Sequence, residues 1–466
     1  LYLFPGGTGS SFGSAKLKEI ISINQFTQMT ASTADAKTIV WTSKKTALTP
    51  GDYRIYIVVN GTVNGVTDGS KNSLTEADFL AKTTADATGV IAAVPEAGLV
   101  MASRSPNNDK TNTLPYIAQT ITKDPEQTIA ATVERMMGKI TVTAGGANVA
   151  SAANVYTSFS TTVTAIGNIT NITLKGYYVV NARKEGYYFR HVDKEGSATS
   201  PLTVDNYGNS TTSLPYVVDP KTYSKTYTGA LDGSYADWYL QGSGAFGLLS
   251  FGSFGGTYTA MPGYSSAAAE TKVAAYCYEN TMLKDKQKNG YTTGIVFKAE
   301  IAPSKMMQKK AGSGGVEENS TFTSMSEIFY HSGIFYKDIA ALKEAGVLLA
   351  DGTTSSSVSG APADLKKNDV QCFKKGSADG KFVCYYPYWI KHIPSDDVAE
   401  DVMEFGIVRN NVYKVTVTGI QGVGKDGVTE DIITDTETDD PTTVLLNVKL
   451  SIKPWTVRTN SAVLGR

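Results

Sequence analysis

Apolar residues along most of this chain recur at every second position, in short runs that stop at Gly, Asn, Asp or Ser. Period two is the mark of a strand with one buried face. The spacing predicts strands over 53–59 (closed by Asn60-Gly61), 139–143 (closed by Gly145-Gly146), 172–180, 187–190, 293–301, 382–388 and 412–418. The clearest case starts at Val444. Its even positions are Val444, Leu446, Val448, Leu450 and Ile452, while its odd positions include Asn447, Lys449, Ser451 and Lys453. Pro454 interrupts it, and a second run follows in the other phase: Trp455, Val457, Thr459, then Ala462, Val463 and Leu464. The first run suffices as the last strand of its own domain. The second is surplus, and an extended apolar tail needs an acceptor: its own domain, or the sheet edge of another subunit.

Helical signals are few. Ser73-Leu-Thr-Glu76 and Ser324-Met-Ser-Glu327 have capping-box spacing. Residues 335–345 have helical periodicity and end at Gly346, a C-cap residue. Asp124-Pro125-Glu126-Gln127 reads as a helix start, and Ile129, Val133, Met136 and Met137 share a helical face. A strand is the alternative over 133–137. Strand-rich patterning with few helices predicts an all-β fold. A stretch rich in Gly, Ser, Thr and Tyr over 197–266 lacks periodicity and suggests a boundary near 215. Domains are therefore expected over 1–215 and 216–454, with a tail over 455–466.

Composition narrows the function. The chain has 466 residues, with 43 Lys plus Arg against 44 Asp plus Glu and a net charge of −1. No electrostatic footprint for nucleic acid follows. No apolar run is long enough to span a membrane. The chain begins at Leu1 without a leader, which suggests a processed start. Three histidines, His191, His331 and His392, lie far apart. Cys372 and Cys384 flank a turn signal at 377–380 and could face each other on a hairpin, as a disulfide or as two packed thiols, with Cys277 left over.

Catalytic patterns do not survive inspection. Gly9-Ser-Ser11-Phe-Gly13 lacks the strand and helix that a nucleophile elbow needs. Gly242–Gly247 and Gly422–Gly427 match G-x-G-x-x-G, but the second opens an acidic segment that would repel a pyrophosphate. Asp435, Glu437 and Asp439 lack the glycine and distal glutamate of a calcium loop. Tyr385, Tyr386, Tyr388 and Trp389 could stack a sugar ring, or form sheet core. No enzyme activity, metal or cofactor is expected.

Several blocks resemble a known family in order. They are Val133-Glu-Arg-Met-Met-Gly-Lys-Ile-Thr-Val, Leu174-Lys-Gly-Tyr-Tyr-Val-Val-Asn181-Ala-Arg, Tyr276-Cys-Tyr-Glu-Asn-Thr281 and Tyr385-Tyr-Pro-Tyr-Trp-Ile390. Glu404-Phe-Gly-Ile-Val-Arg-Asn-Asn-Val-Tyr-Lys-Val-Thr-Val-Thr-Gly-Ile420 and Val448-Lys-Leu-Ser-Ile-Lys-Pro-Trp455 complete the series. The set resembles the fimbrillins of Bacteroidota, the type V pilus subunits, and is most similar to shaft subunits of the short (minor) fimbriae of Porphyromonas. The resemblance implies two transthyretin-like β-sandwich domains in a precursor that is exported and lipid-anchored. It implies that an arginine-specific protease removes an N-terminal strand. The C-terminal strand of the next subunit then fills the gap. Trp455, Val457, Thr459, Ala462, Val463 and Leu464 would be the donor residues.

The implied partners are further copies of the chain, tip and anchor subunits, and a host or bacterial surface protein or glycan. The implied place is an extracellular fimbria attached to the bacterial outer membrane, serving adhesion, biofilm formation and virulence. The alternative is a fimbrial tip adhesin or a glycan- or protein-binding surface module. A ten-residue donor would supply on the order of ten backbone hydrogen bonds at ~0.5–1.5 kcal/mol each. It would also bury side chains worth roughly 1.5–3 kcal/mol apiece.

Overall fold

The structure, a computed structural model, describes residues 1–7, 12–22, 26–28, 39–43, 48–84, 98–104, 115–123, 127–144, 149–150, 155–156, 168–183, 185–193, 216–220, 238–239, 259–260, 264–265, 268–269, 271–281, 289–312, 314–392, 404–427, 446–454 and 458–464. It is mostly β-sheet with a few short helices, as the alternation predicts.

The N-terminal strands are β1 (Tyr2–Pro5), β2 (Glu19–Ile20), β3 (Phe26–Gln28), β4 (Ile39–Ser43), β5 (Gly51–Tyr56), β6 (Val58–Val59), β7 (Met101–Arg104), β8 (Ile117–Ile121) and β9 (Gln127–Arg135). One sheet runs β2-β1-β5-β8. The other runs β3-β4, then the terminal strand Arg458–Leu464, then β9-β7-β6. Period two decides what each face buries. Leu3 of β1 and Tyr53 and Ile55 of β5 point at Ile129, Ala131 and Val133 of β9, forming the core between the two sheets. Tyr2, Phe4 and Tyr56 point the other way, onto Phe79 and Leu80 of the helix Glu76–Leu80 and onto Tyr188 and Phe189 from the second half.

β9 runs through Met136 and Met137 into β10 (Gly138–Ala144), which belongs to a different sheet. β10 pairs antiparallel with the strand Thr271–Cys277 and parallel with Asn411–Ile420, which in turn pairs antiparallel with Leu446–Pro454. The opposing sheet is built on the strands Ile169–Val180, Gly294–Pro303 and Phe382–Trp389. Ile140, Val142, Val415 and Val417 from the first pack on Leu174, Val179, Phe297 and Ile301 from the second. Between Pro303 and Phe382 the chain makes a five-stranded lobe with two helices, Ile339–Ala345 and Pro362–Lys367. That lobe has its own core around Phe329, Tyr336, Leu342 and Leu365.

Several expectations need correction. The chain passes from one sheet to another between Arg135 and Gly138, while the expected boundary near 215 lies outside the described residues. An alternating pattern marks strands without saying which sheet each joins, so a strand that changes sheets in mid-run leaves no signal. The segment from Gln127 is strand, not helix: Ile129, Ala131 and Val133 alternate into the core. Ser324 opens no helix; it turns at φ 62° and leads into the strand Glu327–His331. The first capping box is displaced. Thr75 caps the helix, accepting from the Asp78 N–H at 3.2 Å. Glu76 turns inward to take the Arg54 guanidinium, at 2.6 Å from Nε and 2.7 Å from Nη2, both side chains being buried. The helix expected over 335–345 starts later, at Ile339 behind its Asp338 cap, and stops at Gly346 with φ 59°. Phe335 and Tyr336 belong to the strand Ile334–Tyr336, and Tyr187–Arg190 forms no strand.

Candidate assembly site: a slot between β4 and β9

The terminal strand Arg458–Leu464 lies between two strands from the opposite end of the chain. It pairs antiparallel with β9, from Arg458 opposite Val133 to Leu464 opposite Gln127. It pairs parallel with β4, from Asn460 opposite Ile39 to Val463 opposite Thr42. Among the described residues, β4 otherwise pairs only with β3, and the inner edge of β9 meets nothing else. The terminal strand is therefore what joins the β3–β4 hairpin to β9-β7-β6. Take it away and two rows of backbone N–H and C=O groups face a strand-wide slot, an unstable arrangement for a sheet. The β9 wall of the slot is apolar on its inner face, since Ile129, Ala131 and Val133 sit on the core between the sheets at 1–3% exposure.

Of the sequence-predicted donor residues, Thr459, Ala462, Val463 and Leu464 lie on this strand. Trp455 and Val457 lie outside the described residues. The acceptor strands were not foreseen. The signal available for β9 was the alternation of Ile129, Ala131 and Val133, which competes with the helical spacing of Ile129, Val133 and Met136.

The slot is anchored to the second half through β9. The Asn410 N–H donates to Met137 O at 2.9 Å, and the Arg135 N–H donates to Asn410 Oδ1 at 3.4 Å. Beside this junction Arg409 is fully buried. Its Nε and Nη2 donate to the two oxygens of buried Glu279, each at 2.7 Å. Nη1 and Nη2 also donate to the Tyr188 and Tyr187 carbonyls at 2.9 and 2.7 Å. Burial pushes the Glu279 carboxyl up, and the charge and hydrogen bonds of Arg409 pull against it. His191 stacks on Tyr187 with ring centroids 3.7 Å apart and shares a hydrogen bond with Leu80 O at 2.9 Å. Burial pushes its pKa down to about 3. Glu134, on β9 itself, receives Arg190 Nε at 2.9 Å and contacts Nη2 of the same residue.

The other described candidate residues lie apart from this slot. The three cysteines are unbridged. Cys372 lies opposite Phe329 and Cys384 opposite Ala299, in different sheets, so the expected hairpin does not bring them together. Tyr386 and Trp389 are core; the Tyr386 hydroxyl donates to Gly422 O at 2.9 Å. Trp389 lies against Gly294 so closely that a Cβ there would clash with its ring. Tyr385 is buried, and half-buried Tyr388 packs on the main core. His331 bonds Asp369 O and Leu348 O, and His392 bonds the Tyr413 hydroxyl at 2.7 Å, so the histidines share no site. In Gly422–Gly427, Lys425 exchanges backbone hydrogen bonds with Tyr385 at 2.7 and 2.8 Å, which is strand pairing and no phosphate cradle. Ser11, Gly242 and Asp435, Glu437 and Asp439 lie outside the described residues.

Residues 380–461 match the sequence family described as "Major fimbrial subunit protein type IV, Fimbrillin, C-terminal". That span takes in the strands Phe382–Trp389, Asn411–Ile420 and Leu446–Pro454 and the first half of the terminal strand. The family is one of structural pilins, not enzymes. No curated protein matches the chain. Among solved structures, the chain is similar to a putative cell adhesion protein of Parabacteroides distasonis, with 13% identity over 87% of this chain and 84% of that one and a TM-score of 0.35. It is also similar to a putative cell adhesion protein of Bacteroides eggerthii, with 16% identity, 100% and 90% coverage and a TM-score of 0.33. A third is a fimbrilin of Porphyromonas gingivalis, with 16% identity, 87% and 80% coverage and a TM-score of 0.32.

Proposed function

From a fimbrillin-like chain, matched to that family over residues 380–461, we propose a structural subunit of an extracellular fimbria. It polymerises head to tail, each copy donating its terminal strand to the slot between β4 and β9 of the next. The observation that carries this reading is the placement of Arg458–Leu464 with a partner on both edges, β9 on one side and β4 on the other. A strand bonded on two sides gains about twice the backbone hydrogen bonds of an edge strand, each worth ~0.5–1.5 kcal/mol. Donor and acceptor are different surfaces of one chain, so the contact is heterologous, does not close, and builds a filament. Proteolytic opening of the slot in a precursor, outer-membrane attachment and surface adhesion are the finer parts of the same reading.

The test is removal of residues 455–466. The full chain should run in detergent, unboiled, as a ladder at multiples of 49.7 kDa that collapses on boiling, and should show thin fibres by negative stain. The shortened chain should give one band and no fibres. Fibres from the shortened chain would sink the proposal.

A further inference from the structure

The terminal strand pairs with β4 and β9 of its own chain. This placement goes beyond strand donation, although what it means for assembly rests on that reading. We propose that the subunit before assembly is a self-capped form, in which its own donor strand occupies its acceptor slot. Growth is then a swap: the strand leaves its own slot and enters the identical slot of a neighbour.

The geometry permits closure within one chain. Pro454 ends opposite Asn411, and the next residue, Val412, lies opposite Lys139 at the start of β10. β9 reaches that same corner at Arg135, and Arg458 enters opposite Val133. Only residues 455–457 separate the two strands in sequence. Three residues and their flanking bonds can span about 13 Å when extended.

The energetic consequence differs from that of an empty slot. An open slot would gain the whole strand on polymerisation. A capped slot exchanges one set of backbone bonds for an equivalent set. A short tether presents the strand at an effective concentration of about millimolar. Free subunits at micromolar concentration therefore stay closed unless neighbours are held together or gain contacts beyond the strand. Elongation requires the strand to come out first, a unimolecular step.

A cross-link reads the occupant of the slot directly. Ser461 lies opposite Ala130, which is exposed on β9. Directly opposed antiparallel residues have Cβ atoms about 4.5–5.5 Å apart, close enough for a disulfide with small adjustment. The full chain carrying Ala130→Cys and Ser461→Cys, with half-buried Cys372→Ser, is oxidised while dilute. The expected product is an internal bridge at monomer mass. It blocks seeded fibre growth at least tenfold, and growth returns on reduction. A covalent ladder from fibres with no bridge in the dilute subunit would overturn self-capping and leave strand donation standing. Fibres that bridge in neither state would overturn both. An internal bridge in a protein that never forms fibres would also overturn the swap.

A second measurement needs no substitution. The elongation rate of sheared seeds should level off as subunit concentration rises, because strand release sets the pace. A rate that stays proportional to concentration would overturn the proposal.

Discussion

Arg409 keeps a full charge at a position with no solvent exposure, and it does so because Glu279 and two carbonyls meet its guanidinium. Removing one partner of such a pair strands the other, at a cost of about 3–5 kcal/mol. Arg409→Leu should therefore lower unfolding stability by that amount in urea titration, and Arg409→Leu with Glu279→Leu should recover much of it. His191 and His392 both contribute to the pH response. Their pKa values are pushed below the ordinary 6.5 to about 3 and about 4, in each case first by burial. Between those values and 6.5 the unfolded chain binds more protons than the folded one. Stability from this source is complete above pH 6.5 and is lost as the pH falls through the window. Each histidine contributes about 1.4 kcal/mol per pH unit there. The urea midpoint should drop between pH 7 and pH 4, and His191→Phe should flatten the slope. An unchanged slope in that variant would remove His191 as its source.

At the scale of elements, the terminal strand differs from its neighbours in depending on both edges at once. Ser461→Pro removes an N–H from the middle of that ladder and forbids the extended pairing around it. It should cost about 1–3 kcal/mol and abolish the detergent-resistant ladder, while Ser461→Thr leaves both in place. Equal loss in both variants would show that the side chain, not the backbone, matters there. The strands themselves were legible in the sequence where one face is core. Residues 172–180, 293–301, 382–388 and 412–418 alternate because each lies between the two sheets of the second half. β9 was not legible as strand, because Ile129, Val133, Met136 and Met137 also fit a helical face. Met136 and Met137 are apolar for a different reason: they plug the junction where β9 hands over to β10.

For the whole molecule, the two halves are joined by a strand that changes sheets and by the packing of Tyr56 and Phe79 on Phe189. Net charge is −1, and the slot is bounded by backbone, with Ile129, Ala131 and Val133 on the inner face of its β9 wall. Screening should therefore change little. Fibres should keep their unboiled ladder between about 0.05 and 1 M NaCl, assayed on the same gels. Dissolution at the high-salt end would mean that charge contacts hold the copies together.

Periodicity alone shows a strand-built protein. Period two in a long chain of low charge, with Gly and Asn turns, leaves little else. It also determined that the tail is one strand more than its own sheet needs, because the apolar phase changes across Pro454 and a second run cannot continue the first. Where that run goes is set by long-range pairing. The slot is made by β4 and β9, strands far apart in sequence and brought together by the core they share. Periodicity reports which residues face a core, not which backbone edge lies beside which. For the same reason the cysteines at 372 and 384 and the aromatic run at 385–389 looked like sites in one dimension. Sheet assignment, fixed by long-range pairing, sends the first pair into different sheets and most of the second into the interior.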